Sequence, residues 1–382
     1  MSIRSFEDPA AEEFRSQVRA WILAALPDDW GDSAGLKEED LLSVRRDWDA
    51  KLFRAGYAGL SWPREHGGQG LGLVEEAIFY EEAARAHAPE GLGRVGRHIV
   101  GPMLIQFGSD DQKDKYLSRM LSAVDIWCQG YSEPSAGSDL AAMKSVAVRV
   151  GDHYEIHGSK VWTSHAHYSD RCILLARSAP DRPKYDGVSI FLVDMHQERI
   201  DVRPIQSAAG DHHFNEVVFD GAIVHESDRL GPEHEGWAMV RSSLVHERGV
   251  TTALSFYIEM CREVALLATC CGEDEDKALI ENLRLKNELV HWHVLRLTEM
   301  LSRNEPAGDE TSVLKLYWTE LWQALTHVGV SVACQLHEEY WWYQFLQSRA
   351  STIWGGTSEI QRDMIARRVI FRENRVPMHR MG

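Results

Sequence analysis

What this chain lacks narrows its roles before any motif is read. No apolar run approaches the roughly 18 residues that a membrane-crossing helix needs, and the start MSIRSFEDPAAEEF is charged, unlike a secretory or transit peptide. The expected setting is the cytoplasm, without membrane insertion. Cys128, Cys172, Cys261, Cys270, Cys271 and Cys334 include no Cys-x-x-Cys pair, which argues against a disulfide framework and a zinc site. Basic charge is short, with 41 Lys and Arg against 58 Asp and Glu and a formal net charge of -17. Attraction to a phosphate backbone is therefore not a general property of the surface, and nucleic acid is not an expected partner. A small anionic ligand would need a local cluster of Arg, Lys and backbone N–H groups to overcome that field. There is no P-loop and no Gly-x-Ser-x-Gly elbow, and SWPREHGGQGLG does not spell the Gly-x-Gly-x-x-Gly of a dinucleotide fold. His212 beside His213, and His291 with His293 around Trp292, lack the helical spacing and third ligand of a zinc site, so no metal is expected.

What is present is length and core. The 382 residues, 44% hydrophobic, are enough for two or three domains. Thirteen tryptophans offer flat surfaces that suit a planar cofactor, although most serve the core. Residues 1–125 read as a helical domain, with Phe14, Val18, Trp21, Ile22 and Ala25 at 3-4 spacing and similar patterns over 41–55, 73–86 and 112–121. Over 126–232 the period changes. SVAVRV, a Gly151-Asp152 turn and HYEIHG read as a hairpin, followed by CILLARS, VSIFLVDM and FNEVVFD, which together predict a compact antiparallel β-domain. Residues 233–382 are helical again, around 236–270, 276–302, 311–345 and 357–371, as in a helical bundle, with Gly308 and Asp309 as a connecting loop.

Four stretches draw attention as sites. In WGGTSEIQ, residues 354–361, Ser358 and Gln361 fit a capping box, so Gly355 and Gly356 read as the turn that admits a helix. The same glycines would let a ligand approach the backbone, where free N–H groups and the helix dipole favour negative charge. QGYSEPSAGSD concentrates hydroxyls and backbone N–H groups in one loop, and GSKVWTSHA sets Trp162 beside Thr163 and Ser164. Finally, Trp237, Val240, Leu244, Thr251, Leu254 and Ile258 form one helical stripe whose missing position is filled by Glu247. An inward carboxylate has its pKa raised by burial and reads either as half of an ion pair or as a general base.

Taken in order, YSEPSAGSD, GSKVWTS, FNEVVFD, GWAMVRSSLVHERG and GGTSEIQRDMIARRVI resemble the acyl-CoA dehydrogenase family over nearly the whole chain. The resemblance implies an N-terminal helical domain, an antiparallel β-barrel-like domain and a C-terminal four-helix bundle, so a mainly α fold with a central β-domain. It implies FAD as cofactor, an acyl-CoA thioester as substrate and an electron-transfer flavoprotein as partner. By motif, Ser132 and Ser164 would hydrogen-bond the isoalloxazine, Trp162 would pack on it, Thr357 and Glu359 would face the FAD pyrophosphate and ribose, and Ser138 would touch the pantetheine arm. Many members carry the catalytic Glu at the position that is Gly355 here. A smaller branch, similar to the isovaleryl and long-chain enzymes and to actinobacterial steroid-type enzymes, places it on the bundle helix before an Arg, and Glu247-Arg248 matches that position. Glu247 would then take the α-proton, Arg248 would lie with the substrate, and the backbone N–H of Gly355 would hold the thioester carbonyl.

Two family features are weak here. The Arg-x-x-Phe that reaches a neighbouring subunit's FAD is not evident in LIENLRLKNELVHWH, and the Gly-Gly after the third bundle helix is missing around THVGVSVACQ. A homodimer or homotetramer is the first expectation, with a heterotetramer as the alternative. Competing activities on this fold are dehydrogenation of a carrier-protein thioester, an oxygen-using flavin oxidase or N-hydroxylase, and a non-catalytic subunit of a mixed tetramer. By family position HAPEGLGRVGRHIVGPML lines the acyl pocket, and its Gly91, Gly93 and Gly96 with Arg94, Arg97 and His98 point either to a roomy polar pocket or to charges facing solvent.

Overall fold

The computed structural model describes residues 3, 5–27, 30, 38–247, 250–270, 274–305, 307, 310–332 and 337–369, excluding the side chains of 38–39, 242–247, 274–276 and 368–369. In chain order the elements are α1 (Pro9–Ala25), α2 (Glu38–Ala55), α3 (Leu73–Arg85), α4 (Gly101–Phe107), α5 (Asp110–Leu121), β1 (Trp127–Gly130), β2 (Val146–Val150), β3 (His153–Lys160), β4 (Arg171–Arg177), β5 (Val188–Asp194), β6 (Ile200–Ile205), β7 (Phe214–His225), β8 (Arg229–Leu230), α6 (Gly236–Glu247), α7 (Val250–Cys270), α8 (Asp274–Ser302), α9 (Glu310–Val332), α10 (Glu338–Ser351) and α11 (Ser358–Val369). The expected mainly helical fold with a central β-domain is what forms. No described helix is long and apolar enough to cross a membrane. The loop expected at Gly308 and Asp309 lies outside the described residues, as do Cys271 and Cys334; the other four cysteines are free thiols.

The chain divides into two compact units, one of residues 23–71 and 88–247, the other of residues 1–22, 72–87 and 248–382. In the first, the eight strands run in the order β6-β7-β3-β2-β4-β5-β8, with β1 on β4. The predicted hairpin forms: Val150 pairs with His153 across a two-residue turn in which Gly151 takes φ +61°. The sheet is mixed rather than purely antiparallel, because β1 runs parallel to β4 and Val146 of β2 pairs in parallel with Arg177 of β4. The stretch 131–170 is the long crossover that a parallel β1–β4 pair requires, and the β2–β3 hairpin is built inside it. Alternating side chains of six strands meet in one core, among them Tyr154, Phe191, Val217 and Phe219, so the sheet curls around its own interior as the barrel-like expectation had it. Ser109 caps α5: its hydroxyl accepts from the Gln112 N–H at 3.2 Å while the Gln112 side chain accepts from the Ser109 N–H at 3.2 Å.

The second unit is the helical bundle. Leu254, Ile258, Leu267, Val290, Val294, Leu314, Trp318, Trp322 and Trp341 form its core. Helix α3 joins this unit through buried acids: Arg15 of α1 reaches Glu81 at 2.6 Å and Glu82 at 2.8 Å, and Arg19 reaches Glu82 at 2.7 Å. The segment expected as one helix over 311–345 is two, α9 and α10. They pack antiparallel, since Trp341 sits on Gly329, Ser348 meets Thr326 at 2.9 Å and Thr352 accepts from Gln323 at 2.8 Å.

Candidate functional site

The predicted site residues fall on both units, and each set has its own physical construction. On the β-domain, QGYSEPSAGSD follows β1. Glu133 and Ala136 exchange backbone hydrogen bonds at 3.0 Å, which closes the loop. The buried Glu133 carboxylate then ties it down, accepting from the N–H groups of Lys144 (2.6 Å) and Ser145 (2.9 Å) and from the Lys160 ammonium (2.8 Å). Lys160 is itself fully buried and also donates to the Tyr131 carbonyl at 3.1 Å. Burial pushes the Glu133 carboxyl up, but Lys160 and the two N–H groups outweigh it and hold the acid below its ordinary range. The irregular loop is thus held by a buried, satisfied ion pair that sequence reading missed. The signal was available in the inward Lys at the end of β3, whose position alternates with Tyr154 and Ile156 of the same buried face.

The Ser132 carbonyl accepts from the Val161 N–H at 2.9 Å, so the Ser132 loop and the Trp162 segment run side by side. Trp162 is held at φ +60°, a left-handed conformation that costs about 1 kcal/mol for a residue with a Cβ. Its ring is 59% exposed and meets only the edge of Phe214, at 5.9 Å between centroids, among the described rings. The next residue is fixed from the other side, as Thr163 and Asn215 exchange backbone hydrogen bonds at 3.0 and 3.1 Å. The half-buried Ser164 hydroxyl has no protein hydrogen-bond partner among the described residues. Ser138 lies exposed at the far end of the first loop, beside Asp139, whose carboxylate binds Lys184 at 3.0 Å. An uncovered aromatic plane, a spare hydroxyl and a rigid loop are what a flat heteroaromatic ligand would need.

On the bundle, WGGTSEIQ is the entrance to α11, but not by the expected capping box. Thr357 is the cap, its hydroxyl accepting from the Ile360 N–H at 3.3 Å, while the Ser358 N–H is already engaged with the Thr352 carbonyl at 2.9 Å. The Gln361 side chain turns back and donates to the carbonyls of Gly355 (3.0 Å) and Gly356 (3.3 Å). The buried Lys315 also donates to the Gly356 carbonyl, at 2.7 Å. With both carbonyls pinned inward at φ +64° and +94°, the N–H groups of Gly355 and Gly356 have no protein acceptor among the described residues. A Cβ at Gly355 would meet nothing nearer than Lys315 Cε at 3.9 Å, so the carboxylate that is missing there would have had room. Glu359 is exposed, with its carboxyl held low by its own N–H and the Thr357 hydroxyl.

Glu247 ends α6, but its side chain and the whole of Arg248 lie outside the described residues. Of the stripe that singled it out, Val240, Leu254 and Ile258 are buried. A second inward carboxylate escaped the reading: Glu263 of α7, fully buried among Met260 and Leu267, with the Trp322 indole N–H donating to it at 3.2 Å and the Tyr340 hydroxyl close by. In the stretch HAPEGLGRVGRHIVGPML the chain is helical from Gly96 through α4, and Arg97 points inward. It binds Asp49 at 2.5 Å, and Asp49 also accepts from the N–H groups of Leu92 and Gly93. A Cβ at Gly91 would lie 2.0 Å from Asp49, so that glycine makes room for this clamp rather than for a ligand. Arg94 does face solvent, paired with Glu90.

Comparison with known proteins fits this arrangement. Models of the N-terminal, middle and C-terminal domains of acyl-CoA dehydrogenase match residues 8–123, 128–222 and 234–370. The acyl-CoA dehydrogenase IpdE1 of Mycolicibacterium smegmatis is 35% identical over 383 residues, covering 94% of this chain and 97% of that protein. Among solved structures, the Tcur3481-Tcur3483 steroid ACAD has a TM-score of 0.83 at 28% identity, covering 97% of this chain and 100% of that one. The ChsE4-ChsE5 complex from Mycobacterium tuberculosis has a TM-score of 0.81 at 28% identity, covering 96% and 98%.

Proposed function

The chain belongs to the acyl-CoA dehydrogenase family and is a flavin-dependent enzyme of that kind; from that premise we propose that it uses FAD to dehydrogenate an acyl-CoA thioester between Cα and Cβ. The carrying observation is Trp162, strained into a left-handed conformation with its ring exposed, next to a Ser164 hydroxyl that has no partner among the described residues. The residues fit a flavin in other respects too. Among the described residues Ser358 Oγ is buried without a partner and the Gly355 and Gly356 N–H groups have no acceptor. When bound, FAD supplies the acceptor for the β-hydride.

The chain's own residues do the rest. Glu247 takes the α-proton, and Arg248 lies with the substrate. The Gly355 N–H donates to the thioester carbonyl as its oxygen gains negative charge, a role that needs no side chain. Ser132 and Ser164 hydrogen-bond the flavin edge, Trp162 covers its ring, Thr357 and Glu359 meet its pyrophosphate and ribose, and Ser138 orients the pantetheine arm. Functional regions at 1–125, 126–232 and 233–382 and a cytoplasmic setting belong to the same proposal. Electrons pass to an electron-transfer flavoprotein. A homodimer or homotetramer is the first assembly to test. A heterotetramer is the second reading, favoured by the missing Arg-x-x-Phe and by two relatives solved as complexes of different chains.

The test is a panel of CoA thioesters from short acyl chains to steroid side chains, assayed with an artificial electron acceptor. Turnover with at least one, and reoxidation faster by an electron-transfer flavoprotein than by oxygen, supports the proposal. Preference for a carrier-protein thioester, or fast oxygen consumption, assigns one of the alternative reactions. A colourless protein inert with every thioester makes the chain a non-catalytic subunit.

A further inference from the structure

Between α9, the last turn of α10 and the entrance to α11 lies a cavity of about 610 Å³, whose walls include Gln323, Arg349, Thr352, Thr357, Ser358 and Glu359. Its inner end is built from donors without acceptors. Ser358 is 7% exposed and its hydroxyl is buried with no partner. The twelve-residue helix α11 begins there, so its N-terminal dipole adds partial positive charge. Arg349 adds a full one. Among the described residues its guanidinium donates only to neutral oxygens, the carbonyls of Phe345 and Gln323 (both 3.1 Å) and the hydroxyls of Ser348 (3.0 Å) and Thr326 (3.4 Å). It lies 4.2 Å from the Phe345 ring centroid, and no described carboxylate lies within ion-pair distance. The cavity's other arginine, Arg362, is neutralised by Glu320. Glu359 and His327 are exposed, so the remaining acid and the one titratable base stand at the rim.

A half-buried arginine with no counterion is costly unless an anion completes it. A guanidinium, an orphan hydroxyl and a helix N-terminus together suit a diphosphate, whose oxygens accept several charge-assisted hydrogen bonds at once. We propose that Arg349 is a positioning residue that holds the diphosphate of the bound flavin dinucleotide from within this single chain. The inference rests on the FAD reading above. It supplies, from α10, a cation of the kind that LIENLRLKNELVHWH does not evidently offer to a neighbouring subunit.

The test uses the full chain in its purified assembly, stripped of flavin and titrated with FAD, ADP and riboflavin for wild type, Arg349→Gln and Arg349→Lys. Apoprotein melting is followed alongside. Arg349→Gln is expected to weaken FAD and ADP by about 10- to 100-fold and to flatten their salt dependence, while riboflavin, which has no phosphate, binds as before. Arg349→Lys recovers part of the loss. Unchanged FAD and ADP affinities in Arg349→Gln overturn the proposal. So does an equal loss of riboflavin together with a lower apoprotein melting point, which would make Arg349 a clamp between α9 and α10. A wild type that binds ADP but no flavin defeats the FAD reading, and the ADP loss in Arg349→Gln then decides the role of Arg349 separately. A wild type that binds neither overturns both.

Discussion

Two glutamates, one in each compact unit, are both buried, yet their carboxyl pKa values are shifted in opposite directions. Glu133 of the β-domain faces the Lys160 ammonium and two backbone N–H groups, and its carboxyl is held below the ordinary range. Glu263 of the bundle accepts from one indole N–H, its second oxygen has no partner among the described residues, and burial, with Glu259 nearby, raises its pKa to about 8. Burial alone therefore does not decide whether a carboxyl is charged; the partners it is buried with do. The difference matters for Glu247, which the sequence singles out by its place on an inward stripe as well as by the match of Glu247-Arg248 to the resembled branch. Glu263 falls on such a stripe as well, in the hydrophobic core of the bundle.

The same substitution at the three positions separates an anchor, a base and a neutral acid. The largest effect is expected for Glu133→Gln, which strands the buried Lys160 charge at a cost of about 3–5 kcal/mol. Chemical denaturation would read it, and adding Lys160→Met should restore most of the loss. An unchanged denaturation midpoint would show that the pair is not ionised. At Glu247, Gln should lower flavin reduction by thioester by about 10²- to 10⁴-fold while the bound-flavin spectrum persists. Near wild-type reduction would remove Glu247 as the base.

Glu263→Gln should act in the opposite direction to Glu133→Gln and stabilise the protein. The folded pKa of Glu263 lies above the unfolded one, so its contribution is complete below the ordinary value of 4.5 and is lost as pH rises toward about 8. Relative to Gln, that loss amounts to something on the order of 3 kcal/mol at neutral pH. Stability curves of the two proteins should converge near pH 4.5 and separate above it; parallel curves would contradict the neutral acid. Glu133 bends stability at the other end, since its depressed pKa gives a contribution that is lost as pH falls below 4.5. The smallest effect is expected for Gly355→Ala. The left-handed φ of +64° costs about 1 kcal/mol with a Cβ, but the donor N–H remains, so the rate should stay within about tenfold of wild type; a loss as large as that of Glu247→Gln would mean that more than the N–H is used there.

Most of the architecture was legible because it repeats. The alternating runs that became β2, β3 and β7 and the 3-4 stripes of α1 and α7 are local patterns that each bury one face, while the continuous apolar runs of β4 and β5 are buried on both. The breaks were less legible. The division of 311–345 into α9 and α10 depends on Trp341 folding back onto Gly329, a contact that neither residue announces. The capping box expected at Ser358 gives way to a simple cap one residue earlier. A Ser-x-x-Gln pattern fits locally, but the tertiary bonds from Ser358 N–H to Thr352 and from Gln361 to the glycine carbonyls had already engaged both residues, leaving Thr357 as the cap.

By itself the sequence determined the helical, β and helical regions, the family and the absence of a carboxylate at residue 355, because composition, periodicity and ordered motifs are properties of the chain. Only the tertiary structure decided that Glu133 is charged and Glu263 neutral, that Trp162 presents an exposed ring, and that Arg349 lines a cavity with no counterion among the described residues. Charge state, exposure and donor satisfaction are set by which distant groups come within a few ångströms, and no local pattern records that distance.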